Sequence, residues 1–301
     1  MAAGAKARRC VGARWFLLLL EVLVLVQSLM RSNMVSAAPA EHRAVLVTMC
    51  NFKYFPGAAN VLHSARVNGW TGELMVIVDA SVPRCARDIL THIGATVVPL
   101  SKQWVGMRYG SNKQTTVHFG KLDLLTDPLF RRFDDILYMD ADMQAVTNPE
   151  AILALAPTQP AAFVRVGNPE VRFYRESAKS VPLELQQRFP DRARVYSTRL
   201  MLFHTRLLPD VATMQSTVHE LLVSATDYFD AMFEQGLLQL LFYDTVGDVP
   251  AAWLNDRVLH FYSQSLPWVP GSPHFAKFAV TYESMTSDVA CLRNATHAPT
   301  A

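Results

Sequence analysis

The chain has 301 residues, is 50% hydrophobic and carries a formal net charge of +2. That apolar content supplies one large core or two small ones. A charge so near zero leaves no electrostatic footprint for nucleic acid, so no nucleic-acid partner is expected.

The chain opens with Lys6, Arg8, Arg9 and Arg14 ahead of an apolar run from Trp15 to Val26. A basic flank before such a run is a secretory targeting signal. The run falls short of the roughly 20 residues a spanning helix prefers. Glu21 within it costs about 2.5–3.5 kcal/mol in hydrocarbon, and Val35-Ser36-Ala37-Ala38 offers a cleavage site. A removed signal peptide and a retained membrane anchor both stay open for residues 1–30. Either places the remainder in the lumen of the ER or Golgi, with type II anchoring in the second case. Residues 31–42 read as a stem.

Of the four cysteines, Cys10 precedes the apolar run, and Cys50, Cys85 and Cys291 make an odd set that builds no disulfide framework. Cys85 with Cys291 is the bridge considered. The sequon Asn294-Ala295-Thr296 agrees with a luminal location.

From Arg43 the pattern alternates. Ala44–Met49 is a buried strand; Pro56-Gly57 opens a helix that ends at Asn68-Gly69. Leu74–Val78 is a second strand stopping at Asp79, Pro83 starts a helix closed by Gly94, and Thr96–Leu100 is a third strand. Such alternation argues α/β architecture, a mostly parallel sheet with helices on both faces. Residues 101–117 are polar and aperiodic, read as a mobile loop. A helix around Phe119–Leu125 precedes the strand Ile136–Met139, and Asn148-Pro149-Glu150 starts a helix reaching Leu155. Residues 167–195 are charged and irregular, either a solvated insert or a lid. Leu200–Phe203 and Val258–Phe261 are late strands, and Val211–Leu222 and Glu234–Leu241 are helical.

Chemistry concentrates at Asp140-Ala141-Asp142. A buried strand that stops at two carboxylates delivers both to the carboxyl edge of the sheet, where open α/β sheets bind ligands. Two hard oxygen donors at i and i+2 suit a divalent cation shared with substrate phosphates.

The run Ile136-Leu137-Tyr138-Met139-Asp140-Ala141-Asp142 resembles the strand and metal motif of the family 8 glycosyltransferases, the glycogenin-like retaining nucleotide-sugar enzymes. The resemblance spans about Arg43 to Trp268. It implies a single GT-A type, Rossmann-like domain at 43–270 with a tail at 271–301. It also implies Mn2+ (with Mg2+ as alternative), a UDP-sugar donor, retention at the anomeric carbon, and a glycan, glycolipid or glycoprotein acceptor. Thr48, Asn51 and Tyr54 before Gly57-Ala58 match the uridine-binding start, and Lys121 matches a lysine near the donor sugar and phosphates. His260 with Pro267-Trp268 matches the signature that supplies a third metal ligand beside Asp140 and Asp142. Glu234-Gln235 stands where the family has a catalytic Asp-Gln, and Asn255 matches a further family position.

The departures matter. Cys50 replaces a threonine, Ser263 the signature glycine, and Leu266 the lysine that grips the diphosphate. Ser197-Thr198-Arg199 stands for Asn-Ser-Gly, and Arg199 could favour an acidic sugar or phosphate. Arg108, Lys113 or an arginine of the insert could replace the missing charge. The alternative is a degenerate, non-catalytic nucleotide-sugar or glycan binder. An Asp-x-Asp phosphatase is disfavoured, because Gln144 occupies the place its motif reserves for Thr or Val.

Overall fold

The structure, a computed structural model, describes residues 42–104, 116–165, 187, 196–225, 233–261, 266–268 and 272. The expected targeting segment and stem, Cys10, Cys291, the Asn294 sequon, Arg108, Lys113, Ser263, the tail and nearly all of the charged insert lie outside the described residues. Among the described residues, no helix is long and apolar enough to cross a membrane.

Strands β1 (Ala44–Cys50), β2 (Glu73–Val78), β3 (Ala95–Pro99) and β4 (Asp135–Met139) are the short apolar runs of the sequence. They pair in parallel, in the order β3-β2-β1-β4. Parallel strands covered on both faces read as continuous apolar runs rather than alternations. Their side chains nonetheless separate by parity. Val45, Val47 and Met49 enter one cluster, and Leu46 and Cys50 the other. Each fully buried Val or Leu contributes about 1.5–3 kcal/mol.

Helix α1 (Phe55–Val67) links β1 to β2, and α2 (Arg84–His92) links β2 to β3. Both end as the sequence indicates: Gly69 and Gly94 follow them with φ of +97° and +89°, the left-handed region where a Cβ is disfavoured. Helix α3 (Gly120–Thr126) precedes β4 on the opposite face, with α4 (Val211–Ala225) and α5 (Phe233–Leu241).

The sheet continues through β7 (Tyr196–His204), β6 (Ala161–Arg165) and β8 (Val246–Val249). Strand β7 runs antiparallel to both β4 and β6, which makes the sheet mixed. A separate ribbon pairs β5 (Met143–Ala145) with β9 (Val258–His260), behind the short helix α6 (Trp253–Asp256).

Several expectations are corrected. The Asn148–Leu155 segment is a 3-10 turn over Pro149–Ala154, with Asn148 accepting from the Glu150 amide. The segment at 101–117 is structured at both described ends. Trp104 is buried in a single turn, its indole donating to Asp123, and Thr116–Phe119 forms another turn. Cys50 and Cys85 carry free thiols, and Cys291, the partner considered for Cys85, lies outside the described residues. Burial, then Asp79, pushes the Cys50 thiol pKa up.

Candidate active site

The chain leaves β1 toward β2 and β3 on one side, while β4 pairs on the other side of β1. The connection direction therefore reverses between β1 and β4, and a crevice opens beyond their carboxyl ends. Tyr54 follows β1 and Asp140-Ala141-Asp142 follows β4. Both line one cleft with Met49, Val117, His118 and Tyr138.

The first wall is locally built. Asn51 accepts from the Tyr54 amide and caps the turn Phe52–Tyr54, fixing Tyr54 at the rim. The Tyr54 ring meets Trp268 edge-on, with centroids 5.8 Å apart. The Trp268 indole donates to the Lys53 carbonyl at 3.2 Å. A Cβ on Gly57 would run into the Ala141 carbonyl and the Trp268 ring. Backbone contact at Gly57 thus locks α1, the acidic motif and the Pro267-Trp268 segment together. Thr48 is enclosed in β1 and is not among the residues that line the cleft, and its hydroxyl has no partner among the described residues.

The acidic pair divides into two environments. Asp140 Oδ1 accepts from the Tyr138 hydroxyl at 2.6 Å and lies 3.1 Å from Lys121 Nζ. Lys121 is 3% exposed, lies 2.8 Å from Glu234 Oε1, and donates to Thr198 Oγ1 at 3.3 Å. Its three donors thus meet three acceptors. Burial pulls the ammonium's pKa down, but Asp140 and Glu234 outweigh it and the net shift is upward. For Glu234, burial is the strongest influence and pushes up, but Lys121, His118 and the hydrogen bonds together outweigh it, so its pKa falls. For Asp140, burial wins over Lys121, and Asp142 adds to the rise.

Asp142 faces the other way. His260 Nε2 lies 3.3 Å from Asp142 Oδ2. The β5–β9 ribbon brings this about: Met143 pairs with His260, and the Phe261 amide donates to the Asp142 carbonyl at 3.0 Å. Asp142 Oδ1 is buried with no hydrogen-bond partner among the described residues. A buried carboxylate oxygen left without a donor is costly unless a ligand satisfies it.

Among the described residues, no three His, Cys, Asp or Glu side chains close into a metal cage. The expected triad is gathered in part: Asp142 and His260 are paired, and Asp140 is turned to Lys121 and Tyr138. The residues nonetheless fit a divalent cation. A hard oxygen and an imidazole stand together, Asp142 Oδ1 has no hydrogen-bond partner among the described residues, and the Lys121 ammonium faces the carboxylates of Asp140 and Glu234 rather than that of Asp142.

Glu234 is 5% exposed and lies behind the cleft wall rather than on it. Its Oε2 is 4.0 Å from His118 Nδ1, and its Oε1 accepts from Thr198 Oγ1 at 3.4 Å. Gln235 Oε1 accepts from the Thr198 amide at 3.4 Å. Thr198 reaches them because β7 is bulged there: Phe163 pairs with Met201, whereas Val164 pairs with Ser197. The bulge also lets the Arg199 carbonyl accept from the Asp140 amide at 2.8 Å. A bulge re-aims side chains beside a site, and this one occupies the Ser197-Thr198-Arg199 box. Leu266 packs against Phe261 and Trp268 as an apolar residue. For Asn255, only the backbone is described, within α6.

Sequence reasoning missed His118, Tyr138 and Met49 as lining residues. Tyr138 sat inside the quoted motif, and its hydroxyl bond to Asp140 at i+2 was the available signal. For His118 and Met49 the sequence carries none.

Comparison with solved structures gives the fold. The chain is similar to the bifunctional glycosyltransferase WbbM, at 14% identity and TM-score 0.59, over 85% of this chain and 52% of that one. It is similar to the galactosyltransferase LgtC in complex with donor and acceptor sugar analogs, at 13% identity and TM-score 0.61, over 83% of this chain and 99% of that one. The glycosyltransferase GlyE of Streptococcus pneumoniae matches at 13% identity and TM-score 0.52, over 82% and 64%. The chain thus spans about half the length of WbbM and nearly all of LgtC. No protein-family model matches the chain, and no curated protein sequence does. At these identities the likeness establishes the GT-A type fold.

Proposed function

We propose that this chain is a glycosyltransferase. It takes a sugar from a UDP-sugar and passes it, with retention and with Mn2+ or Mg2+ bound, to a glycan, glycolipid or glycoprotein acceptor in the secretory pathway. The observation that carries the reading is the orphaned, buried Asp142 oxygen beside His260, in a cleft at the sheet's switch point. The solved galactosyltransferase with donor and acceptor sugar analogs, whose fold this chain shares, supports the substrate class.

Asp142 and His260, with Asp140 beside them, would hold the cation. When bound, it supplies Lewis-acid neutralisation of the diphosphate. Tyr54 offers a ring face to the base at the rim. Lys121 fixes Asp140 and Glu234 in place through its buried ion pairs. Glu234, held ionised by Lys121, keeps a negative charge near a centre that becomes positive as the sugar–phosphate bond breaks. A preorganised charge of this kind acts strongly in a water-poor site. Retention places the acceptor hydroxyl on the face the diphosphate leaves, and the departing oxygen can take its proton.

A second reading, a nucleotide-sugar binder without turnover, draws on Leu266, whose packed apolar side chain stands where the family's diphosphate lysine would be. UDP release from UDP-hexoses by the full chain with Mn2+ separates the two. Turnover that falls at least 100-fold in Asp142→Asn supports the transferase. UDP binding without turnover supports the binder, and absence of both refutes each.

A further inference from the structure

Each acid of the Asp140-Ala141-Asp142 motif has one oxygen engaged. Asp142 Oδ2 lies 3.3 Å from His260 Nε2, and its Oδ1 has no hydrogen-bond partner among the described residues. Asp140 Oδ1 accepts from the Tyr138 hydroxyl at 2.6 Å and lies 3.1 Å from Lys121 Nζ. Among the described residues, no hydrogen bond or ion pair engages Asp140 Oδ2.

The two contacts on Asp140 Oδ1 differ in how firmly they fix the carboxylate. Lys121 divides its donors among Asp140, Glu234 and Thr198, and an ammonium is a point charge on a flexible stem. The Tyr138 hydroxyl has a single proton, and it goes to Asp140 alone. The 2.6 Å separation is that of a hydrogen bond to a charged oxygen. The ring that carries the hydroxyl is itself fixed. Tyr138 is fully buried in β4, paired with Val47 of β1 on one side and Met201 of β7 on the other. Lys121 Nζ sits 5.1 Å from its centroid, a cation–π contact. At the same time Tyr138 reaches the cleft wall beside Asp140 and Asp142.

We infer that Tyr138 is a positioning residue of the cation site: its hydroxyl holds Asp140 Oδ1 and so reserves Oδ2 as the oxygen that joins Asp142 and His260 on the ion. The inference deepens the proposed cation site and rests on it. Hydrogen bonds to a ligating carboxylate set which oxygen it offers and at what angle.

The test titrates the full chain with Mn2+ in the presence of UDP and reads the free ion by electron paramagnetic resonance. Tyr138→Phe keeps the ring and its packing and removes only the hydroxyl. Its Mn2+ dissociation constant should rise about tenfold with an unchanged circular dichroism spectrum. In an Asp140→Ala background the same change should alter the constant less than about twofold, because the residue it acts through is gone. A purely structural tyrosine would cost the same in both backgrounds. p-Aminophenylalanine at position 138 restores a donor at the same place and should recover most of the affinity. In the wild type with Mg2+ and UDP, the Tyr138 hydroxyl proton should stay protected from exchange by NMR, a readout that needs no variant to fold. Affinity within about twofold of wild type in Tyr138→Phe, equal losses in both Asp140 backgrounds, or rapid exchange of that proton once Mg2+ is bound overturns the inference and leaves the cation site standing. A wild type that takes up no Mn2+ with UDP present overturns both.

Discussion

Lys121→Met offers a direct probe of how this site is held. The change keeps the length of the side chain and removes its charge. It leaves Asp140 and Glu234, 25% and 6% exposed at their side chains, without the ammonium 3.1 and 2.8 Å away. Removing one partner of a buried ion pair costs about 3–5 kcal/mol, because the remaining charge stays desolvated. In a domain of this size, that corresponds to a fall of roughly 6–20 °C in melting temperature. The pH dependence carries the sharper signature. In the wild type, Glu234 has a depressed pKa, so its contribution is present above its unfolded value and is lost as the pH falls through the folded one. Without Lys121, burial loses its main opponent and outweighs the remaining pull of His118 and the backbone hydrogen bond, so the Glu234 pKa rises and the variant loses stability as the pH rises. The gap between the two proteins should therefore be wide at pH 7 and narrow toward pH 4–5. Urea denaturation followed by circular dichroism at both pH values measures it. A gap below about 1 kcal/mol at pH 7, or one that does not shrink in acid, would refute the account of a buried ammonium clamping two carboxylates.

Gly57→Ala places a methyl against the Ala141 carbonyl and the Trp268 ring. A cost of about 1–3 kcal/mol is expected, together with a red-shifted tryptophan emission as Trp268 is displaced; an unchanged spectrum and melting point would contradict the packing. His204 donates to Asp135 at 2.6 Å and to the Leu155 carbonyl at 3.0 Å, and the bond to Asp135 raises its pKa against burial. Its contribution is complete below about pH 6.5 and lost as the pH rises through the folded value, so His204→Gln should flatten the stability profile above pH 6.5. Asp123, pushed up to about 6 by burial against the Trp104 and Ser101 hydrogen bonds, works the same way in sign: stability falls between about pH 4 and 6. Trp104→Phe removes one of those donors and should cost more at pH 7 than at pH 4, as measured by parallel denaturation curves.

The sheet's first half was legible because its strands, covered on both faces, are unbroken apolar runs, and because Gly69 and Gly94 mark helix ends where the backbone turns left-handed. Strands β5, β6 and β8 were not. Met143–Ala145 has three residues, Ala161–Arg165 begins with two alanines of weak strand preference, and Val246–Val249 contains a glycine and an aspartate. Their strand character comes from the neighbours they pair with. In the site, the place of Asp140 and Asp142 followed from the strand before them. Lys121 could be singled out by resemblance, yet nothing local in Gly120–Thr126 says that its ammonium is buried. That depends on Asp140 and Glu234, which the topology brings from β4 and α5. The split of Asp140 and Asp142 between Lys121 and His260 depends likewise on pairing across the β5–β9 ribbon.

Titration of the full chain with Mn2+ in the presence of UDP, read by the loss of free Mn2+ signal in electron paramagnetic resonance, addresses the core of the account. The wild type should take up one ion, and both Asp142→Asn and His260→Ala should lower its affinity at least tenfold while the circular dichroism spectrum stays unchanged. Uptake of the ion with equal affinity by the wild type and both folded variants would contradict the assignment of Asp142 and His260 as its holders.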